Sequence, residues 1–189
     1  MNFKKAKRIK TPLSKDLVKN FRIGDWILLS GIVYTARDQA HKRLLEMIEK
    51  GEKLPLNLEN AVIYYTGPSP AKPGEILGSA GPTTSARMDK YTPLLLKLGL
   101  SGMIGKGERS EEVKSALKEF GGLYLVTIGG AGAYLSERVR KAKALLWQDL
   151  GPEAIYEFIL EDFPCLVAYD AYGGDYFEQA RAKFKGGRK

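Results

Sequence analysis

Residues 81–89 read Gly-Pro-Thr-Thr-Ser-Ala-Arg-Met-Asp, and this stretch is the centre of our interpretation of the chain. The Gly-Pro pair predicts a turn, and the three hydroxyl residues after it are typical of a helix start. Because a helix N-terminus presents unpaired N–H groups and a partial positive charge, it can hold a carboxylate or a phosphate. Arg87 lies three and four residues after Thr84 and Thr83, so its guanidinium could serve the same anion. The plainer interpretation is a capped helix with a surface arginine.

The rest of the chain alternates between strand-like and helix-like segments, which favours a mixed or parallel α/β layer. Strands are expected at 26–35 with a break near Gly31, and at 61–66, 75–80, 101–105, 123–128 and 166–169. Helices are expected at 36–50, at 85–98 with an interruption at Pro93, from Ser110 to 120, and at 133–140. Segments 142–147 and 154–160 fit either type, and 16–20 and 68–74 are expected to be irregular.

Length and composition fit one domain with a full core, since the chain has 189 residues, 44% of them hydrophobic and 28% charged. No apolar run is long enough to cross a membrane, and the basic N-terminus lacks the apolar stretch of a signal peptide. The single cysteine, Cys165, excludes an internal disulfide and fits a reducing cytoplasm.

The net charge of +8 is concentrated at the two ends of the chain. Residues 1–10 and 181–189 each carry five Lys or Arg and no acid, which leaves −2 on residues 11–180. A nucleic-acid footprint is a patch or stripe on the folded body, so we interpret these ends as basic tails, solvated or facing a partner, rather than as nucleic-acid-binding arms.

Polar residues at several predicted strand ends are the candidates for chemistry, because ligands of open α/β folds bind at such ends. They are Arg37, Thr83–Thr84, Arg87, Lys106 and Asp170. Three cations suit a small anion with two carboxylates, although each residue alone could be an ordinary surface residue or cap. Lys106 stands between two glycines, which predicts either a close approach to a ligand or a simple β-turn. The surrounding sequence is not a phosphate-binding P-loop, and the glycines at 129–132 lack dinucleotide-site spacing.

The one histidine and the one cysteine cannot build a zinc site or an iron–sulfur cluster by themselves. His41 lies one helical turn after Arg37, where it could orient Arg37, assist a proton transfer or be buried; we favour burial. Cys165 precedes an apolar strand and is interpreted as a core thiol.

Several motifs together resemble a known family. They are GDWILLSGIVYTARDQAHKRL, YYTGPSP, GSAGPTTSARMD, GKG and IGGAGAYL, and the likeness runs from about Gly24 to Phe177. In combination they resemble the β subunit of two-subunit class I fumarate hydratases and L-tartrate dehydratases, which is equivalent to the C-terminal domain of single-chain class I fumarases. The ending YDAYGGDYF is a looser match, since the family usually has Gly-Asn-Asp where this chain has Gly173-Gly174-Asp175.

The resemblance implies a three-layered swivelling β/β/α domain with a mixed sheet. We expect one such domain over residues 1–189, with the basic tails at about 1–10 and 181–189 that the charge distribution indicates. The resemblance also implies an α subunit that carries a [4Fe–4S] cluster on three cysteines, and no metal on this chain. We therefore expect a cytoplasmic hetero-oligomer, with a homodimer as the alternative for the isolated chain, and neither nucleic acid nor membrane as a partner.

The resemblance further implies a shared active site that reversibly hydrates fumarate to malate. By the match of TARD, Arg37 binds a substrate carboxylate; by the match of GPTTSAR, Thr83 and Thr84 lie beside the reacting carbons and Arg87 binds a carboxylate. Thr83 matches the proposed base, and Lys106, by the match of GKG, binds a carboxylate as well. The alternatives are an L-tartrate dehydratase β subunit, a non-catalytic dicarboxylate-binding module, or a scaffold whose basic tails dock an acidic partner.

Overall fold

A computed structural model describes residues 5–186 as a mixed α/β fold. The strands are β1 (Lys7–Lys10), β2 (Trp26–Thr35), β3 (Val62–Tyr64), β4 (Gly102–Gly105), β5 (Leu123–Val126), β6 (Val139–Leu146) and β7 (Ile155–Tyr169). The helices are α1 (Lys15–Val18), α2 (Asp38–Glu49), α3 (Thr92–Lys97), α4 (Glu111–Phe120), α5 (Gly132–Ser136) and α6 (Tyr176–Gly186). Two 3-10 helices cover Ser85–Met88 and Gln148–Glu153.

The seven strands form one mixed sheet in the order β1-β2-β3-β4-β5-β7-β6. Neighbours from β1 to β5 are parallel, and β7 is antiparallel to β2, β5 and β6. Because β7 pairs with β2 as well as with β5, strands β2, β3, β4, β5 and β7 close into a ring. The expectation of an α/β fold with a mixed sheet is confirmed.

Alternate residues of the parallel strands feed two hydrophobic cores. Val62 and Tyr64 join the core with β7, whereas Ile63 and Tyr65 join the core with helices α2, α3 and α4. This division follows from the period of two along a strand, and it explains why every residue from 61 to 66 is buried. Strands β3 and β4 are buried along their whole length, so a ligand can reach them only at their ends.

Most of the predicted elements near these strands are confirmed. The break expected in β2 is a register shift between Leu29 and Gly31, and Gly31 has a φ of +103°. The interruption expected at Pro93 divides 85–98 into the 3-10 helix Ser85–Met88 and α3, with the proline in the first turn of α3. Ser110 caps α4 by accepting a hydrogen bond from the Val113 N–H.

Three predictions are wrong or incomplete, and two segments left open are assigned by the structure. No strand forms at 75–80, and segment 16–20 overlaps helix α1. The helix expected at 133–140 is only α5, and the second half of that segment begins β6. The two ambiguous segments are both strand, in β6 and β7.

Both basic ends of the chain form secondary structure within the described residues. Lys7–Lys10 is an edge strand on β2, and its Ile9 is buried while its neighbours expose their charges. Strand pairing uses backbone groups, so outward lysines do not prevent it and are common on edge strands. Residues 181–186 belong to α6; Lys4, Arg188 and Lys189 lie outside the described residues. Across residues 5–186, no helix combines the length and the apolar character that a bilayer crossing requires.

Candidate active site at the carboxyl edge of the parallel strands

The carboxyl ends of β2, β3 and β4 lie at one edge of the sheet, because the three strands are parallel neighbours. Arg37 follows β2 by two residues, and Lys106 comes directly after β4. The segment 81–84 lies across the end of β3, since the Thr83 N–H donates to the Tyr65 carbonyl at 2.8 Å. Three segments far apart in sequence therefore meet at this edge.

Backbone bonds join residues 81–85, which we call the threonine turn, to the residue after β4. Thr84 and Lys106 form a parallel bridge, and the Ser85 N–H donates to the Lys106 carbonyl at 3.1 Å. The Lys106 N–H donates in return to Ser85 Oγ at 3.1 Å. The turn thus extends the sheet beyond the ends of β3 and β4, and it holds Thr83 and Thr84 beside Lys106.

The helix expected after this turn is too short for its expected role. Ser85–Met88 is a four-residue 3-10 helix, and the side chain of Thr84 at its N-cap makes no capping bond. The macrodipole of so short an element is small, so the anion site predicted from a helix N-terminus is not formed. The positive charge at this edge comes from side chains instead.

Arg87 connects the threonine turn to helix α2. Its Nη2 donates to Thr83 Oγ1 at 2.8 Å, and its Nε donates to Asp38 Oδ1 at 3.0 Å. The side chain is 46% exposed, so these two bonds orient a guanidinium that still faces solvent. The expected proximity of Arg87 and Thr83 is confirmed as geometry.

Arg37 packs against the glycine that ends the segment after β3. A Cβ at Gly67 would lie 2.9 Å from Arg37 Nη1 and 3.1 Å from its Cδ, so this position leaves room only for glycine. Arg37 Nη2 lies 3.7 Å from Glu153, while its buried Nε has no hydrogen-bond partner among the described residues. The side chain is therefore held in place with hydrogen-bonding capacity to spare.

Lys106 is exposed, and the structure explains why the residues on both sides of it are glycine. A Cβ at Gly105 would lie 2.0 Å from Ser85 Oγ, and Gly107 has a φ of +83°. A Cβ at Gly129 would lie 3.7 Å from Lys106 Cδ, so the glycine-rich segment after β5 borders the lysine stem.

Asp170 does not lie at this edge, so its place among the candidates is corrected. It follows β7, which runs antiparallel to β2 and β5, and it therefore sits at the opposite end of the sheet. The carboxylate is buried and accepts hydrogen bonds from the N–H groups of Ile23, Tyr172 and Gly174. Its role there is to hold the turn that precedes α6.

His41 and Cys165 are buried, as expected. His41 Nδ1 lies 2.8 Å from the Arg37 carbonyl, and burial lowers the pKa of His41 to about 4, so the ring is neutral near pH 7. Burial raises the pKa of the Cys165 thiol, which keeps it protonated. Among the described residues no group of three or more His, Cys, Asp or Glu could hold a metal, and a lone buried thiol does not fit an iron–sulfur cluster.

The sequence interpretation missed the buried polar residues behind this edge. Arg109 Nε contacts Asp89 at 2.6 Å, and its Nη2 donates to Thr92 Oγ1 at 2.7 Å. Its side chain is fully buried, between the rings of Tyr65 and Tyr124. The only sequence feature that could have drawn attention to Arg109 is its position three residues after Lys106. Basic residues close together ordinarily indicate an exposed segment, so burial of Arg109 was not expected.

The fold and this edge define a class of domain: an α/β sheet whose parallel strand ends gather three cations and two threonine hydroxyls. Such an edge is suited to a small anion with two acidic groups. Residues 2–180 match the family model described as Fumarase C-terminus. The chain therefore belongs to the Fumarase C-terminus family, and the resemblance seen in the sequence is confirmed.

Individual relatives fall into two groups that differ in length. The chain is 37% identical over 177 residues to a Methanocaldococcus jannaschii protein provisionally named L(+)-tartrate dehydratase subunit beta, which covers 90% of this chain and 91% of the relative. It is 38% identical over 164 residues to the anaerobic class I fumarate hydratase of Escherichia coli, covering 86% of this chain but 30% of the relative. It is 41% identical over 153 residues to the mitochondrial fumarate hydratase 1 of Leishmania major, covering 80% of this chain and 28% of the relative. These relatives support a hydro-lyase family.

Proposed function

We propose that the chain is the β subunit of a hydro-lyase that reversibly hydrates fumarate to malate. In this proposal Arg37, Arg87 and Lys106 bind the two substrate carboxylates, Thr84 lines the substrate, and Thr83 transfers the proton. The observation that carries the proposal is the Arg87–Thr83 hydrogen bond of 2.8 Å at the edge that also presents Lys106. A carboxylate-binding group and a proton-transfer group thereby share one exposed location.

The cations suit the charge that this reaction develops. Removal of a proton from the carbon beside a carboxylate transfers negative charge to that carboxylate in the transition state. Arg and Lys donors fixed beforehand at this position stabilise that charge more than they stabilise the bound substrate. A forked guanidinium such as Arg87, held by Asp38 and Thr83, presents its remaining donors in a fixed plane.

Thr83 needs help to act as a base, because a threonine hydroxyl is a poor base at neutral pH. The guanidinium of Arg87 donates to Thr83 Oγ1, and such a bond favours the alkoxide form of the hydroxyl. Asp38 is the nearest carboxylate in this network, yet it bonds to Arg87 and not to Thr83. We infer that the group that accepts the proton from Thr83 is a carboxylate of a partner chain.

An α subunit with a [4Fe–4S] cluster is the partner that we propose. Thr84 and Lys106 are exposed and Arg87 is 46% exposed, so a second protein is needed to enclose a substrate on this edge. When bound, the cluster would supply a Lewis acid for the departing hydroxyl, which the described residues of this chain do not offer. We further propose that residues 1–189 form one domain of the three-layered swivelling type.

L-tartrate is the second candidate substrate, and the relatives give a specific reason for it. The M. jannaschii protein named for tartrate dehydratase has nearly the length of this chain, whereas the fumarate hydratases are about three times longer. Fumarate and tartrate both carry two carboxylates, so the same three cations serve either one.

The test is anaerobic co-expression of the chain with its candidate α subunit, followed by turnover measured separately on fumarate and on L-tartrate. Turnover of fumarate supports the proposal, and a clear preference for tartrate replaces the substrate while keeping the site. If a cluster-loaded complex turns over neither acid, the proposed chemistry is wrong.

A further inference from the structure

Two buried hydroxyls connect the site to the core, and the proposed roles of the site residues do not use them. They belong to Ser85, within the threonine turn, and to Tyr124, on β5. Tyr124 Oη lies 2.9 Å from Ser85 Oγ and 2.8 Å from the Gly107 carbonyl oxygen. Ser85 Oγ in turn accepts the Lys106 N–H at 3.1 Å. We propose that Tyr124, acting through Ser85, is a positioning residue that fixes Lys106 for carboxylate binding.

The direction of these bonds follows from counting hydrogens. A phenol has one hydrogen, and the Gly107 carbonyl can only accept, so Tyr124 donates to Gly107. Tyr124 Oη also faces Ser85 Oγ as the donor, so its one hydrogen is shared between the two acceptors, and Ser85 Oγ accepts from both Tyr124 and the Lys106 N–H. The result is one continuous chain, which we call the hydroxyl chain: Lys106 N–H, Ser85 hydroxyl, Tyr124 hydroxyl and Gly107 carbonyl.

The hydroxyl chain holds the backbone at residues 106–107, on which the position of the Lys106 side chain depends. It bonds to the Lys106 N–H and to the Gly107 carbonyl, and Gly107 has a φ of +83° and no Cβ to pack. The side chain of Lys106 is itself exposed, so the direction of its stem depends on the backbone at 105–107. A backbone held at both ends limits the positions that the ammonium can reach.

Tyr124 is itself held rigidly. Its ring stacks on Tyr169 with centroids 5.5 Å apart, and the Arg109 guanidinium lies 4.9 Å from its centroid. Burial raises the pKa of Tyr124, so the phenol keeps its hydrogen around neutral pH. The hydroxyl chain therefore does not change with pH in that range.

The role of Lys106 rests on the proposed function, so the experiment has two independent readouts. The first is amide hydrogen exchange at Lys106 in the full chain, which requires no activity. The second is the steady-state kinetics of the complex with its α subunit on fumarate and L-tartrate. The variants are Tyr124→Phe, which keeps the ring, and Ser85→Ala. The control is Thr127→Val, which removes another buried hydroxyl next to β5, one that donates to the Pro164 carbonyl and not to Lys106.

We expect both variants to speed exchange at Lys106 and to raise KM about fivefold, the effect of losing about one net hydrogen bond, with a smaller change in kcat. Because each variant interrupts the same chain, the double variant should lose little more than the larger single loss. The control should leave the Lys106 exchange rate and KM near wild type.

Unchanged exchange at Lys106 in Tyr124→Phe would overturn the hydroxyl chain. Faster exchange with an unchanged KM would overturn its positioning role, as would equal KM changes in Thr127→Val. If the wild-type complex turns over neither acid, the proposed function fails, while the exchange result still decides whether the hydroxyl chain fixes Lys106.

Discussion

Replacing Arg87 by lysine keeps the positive charge and removes the fork of donors. The guanidinium now reaches Asp38 through Nε at 3.0 Å and Thr83 through Nη2 at 2.8 Å. A lysine ammonium cannot reproduce both contacts together with a planar face for a carboxylate. At least one charge-assisted hydrogen bond is therefore lost in Arg87→Lys.

The cost to activity should exceed the cost to stability. A hydrogen bond to a charged group is worth about 1.5–3 kcal/mol, so kcat/KM should fall roughly ten- to one-hundred-fold. The ion pair with Asp38 involves a side chain that is 46% exposed, and such pairs contribute at most about 1 kcal/mol to folding. Thermal unfolding of the variant should consequently stay close to that of wild type.

Arg43→Lys is the matched control. Arg43 lies in helix α2 and donates to one carboxylate, that of Asp149, through two guanidinium nitrogens. The Arg43 side chain is 36% exposed, and among the described residues its hydrogen bonds go to Asp149 and not to the threonine turn. The assay is turnover by the complex with its α subunit, alongside thermal unfolding of both variants. Wild-type kcat/KM in Arg87→Lys, or an equal loss in Arg43→Lys, would refute the role given to Arg87.

Two further predictions concern the support of the site. Gly105→Ala places a Cβ 2.0 Å from Ser85 Oγ and should lower the free energy of unfolding by about 1–3 kcal/mol in denaturant titrations; an unchanged midpoint would contradict that close contact. Burial lowers the pKa of His41 to about 4, against 6.5 in the unfolded chain. The contribution of neutral His41 to the free energy of unfolding is therefore complete above about pH 6.5 and is lost as the pH falls toward 4. The loss should reach about 2 kcal/mol at pH 5 in wild type and be absent from His41→Phe; the same fall in both proteins would exclude His41 as its source.

The sequence allowed a candidate residue to be placed correctly in the fold when that residue follows a parallel strand. The residues after β2 and β4 could be placed together because carboxyl ends of parallel neighbours share an edge. Asp170 was misplaced because strand direction is not visible in a local pattern. Strand β7 runs for 15 residues through Asp162 and Pro164, which divided it into separate segments in the sequence interpretation.

Long-range burial was the other feature that local patterns could not show. Arg109 reaches Asp89, 20 residues away, and only the folded chain reveals that the guanidinium is buried. Strand β1 was not predicted, because its basic residues indicated a solvated tail. Its pairing with β2 uses backbone groups that the basic side chains do not affect. The helix expected from Ser85 is divided in the structure, because the 3-10 helix ends at Met88 and α3 begins at Thr92 with Pro93 in its first turn.

Comparing Thr83→Ala with Thr83→Ser in the complex with its α subunit tests the central claim most directly. Removal of the hydroxyl should lower kcat by about 10²–10⁴-fold, the usual contribution of a proton-transfer group, while dicarboxylate binding is retained through the three cations. Thr83→Ser keeps the hydroxyl and its bond to Arg87, so it should recover most of the turnover. Wild-type turnover in Thr83→Ala would contradict the proposal that this chain supplies the proton-transfer group.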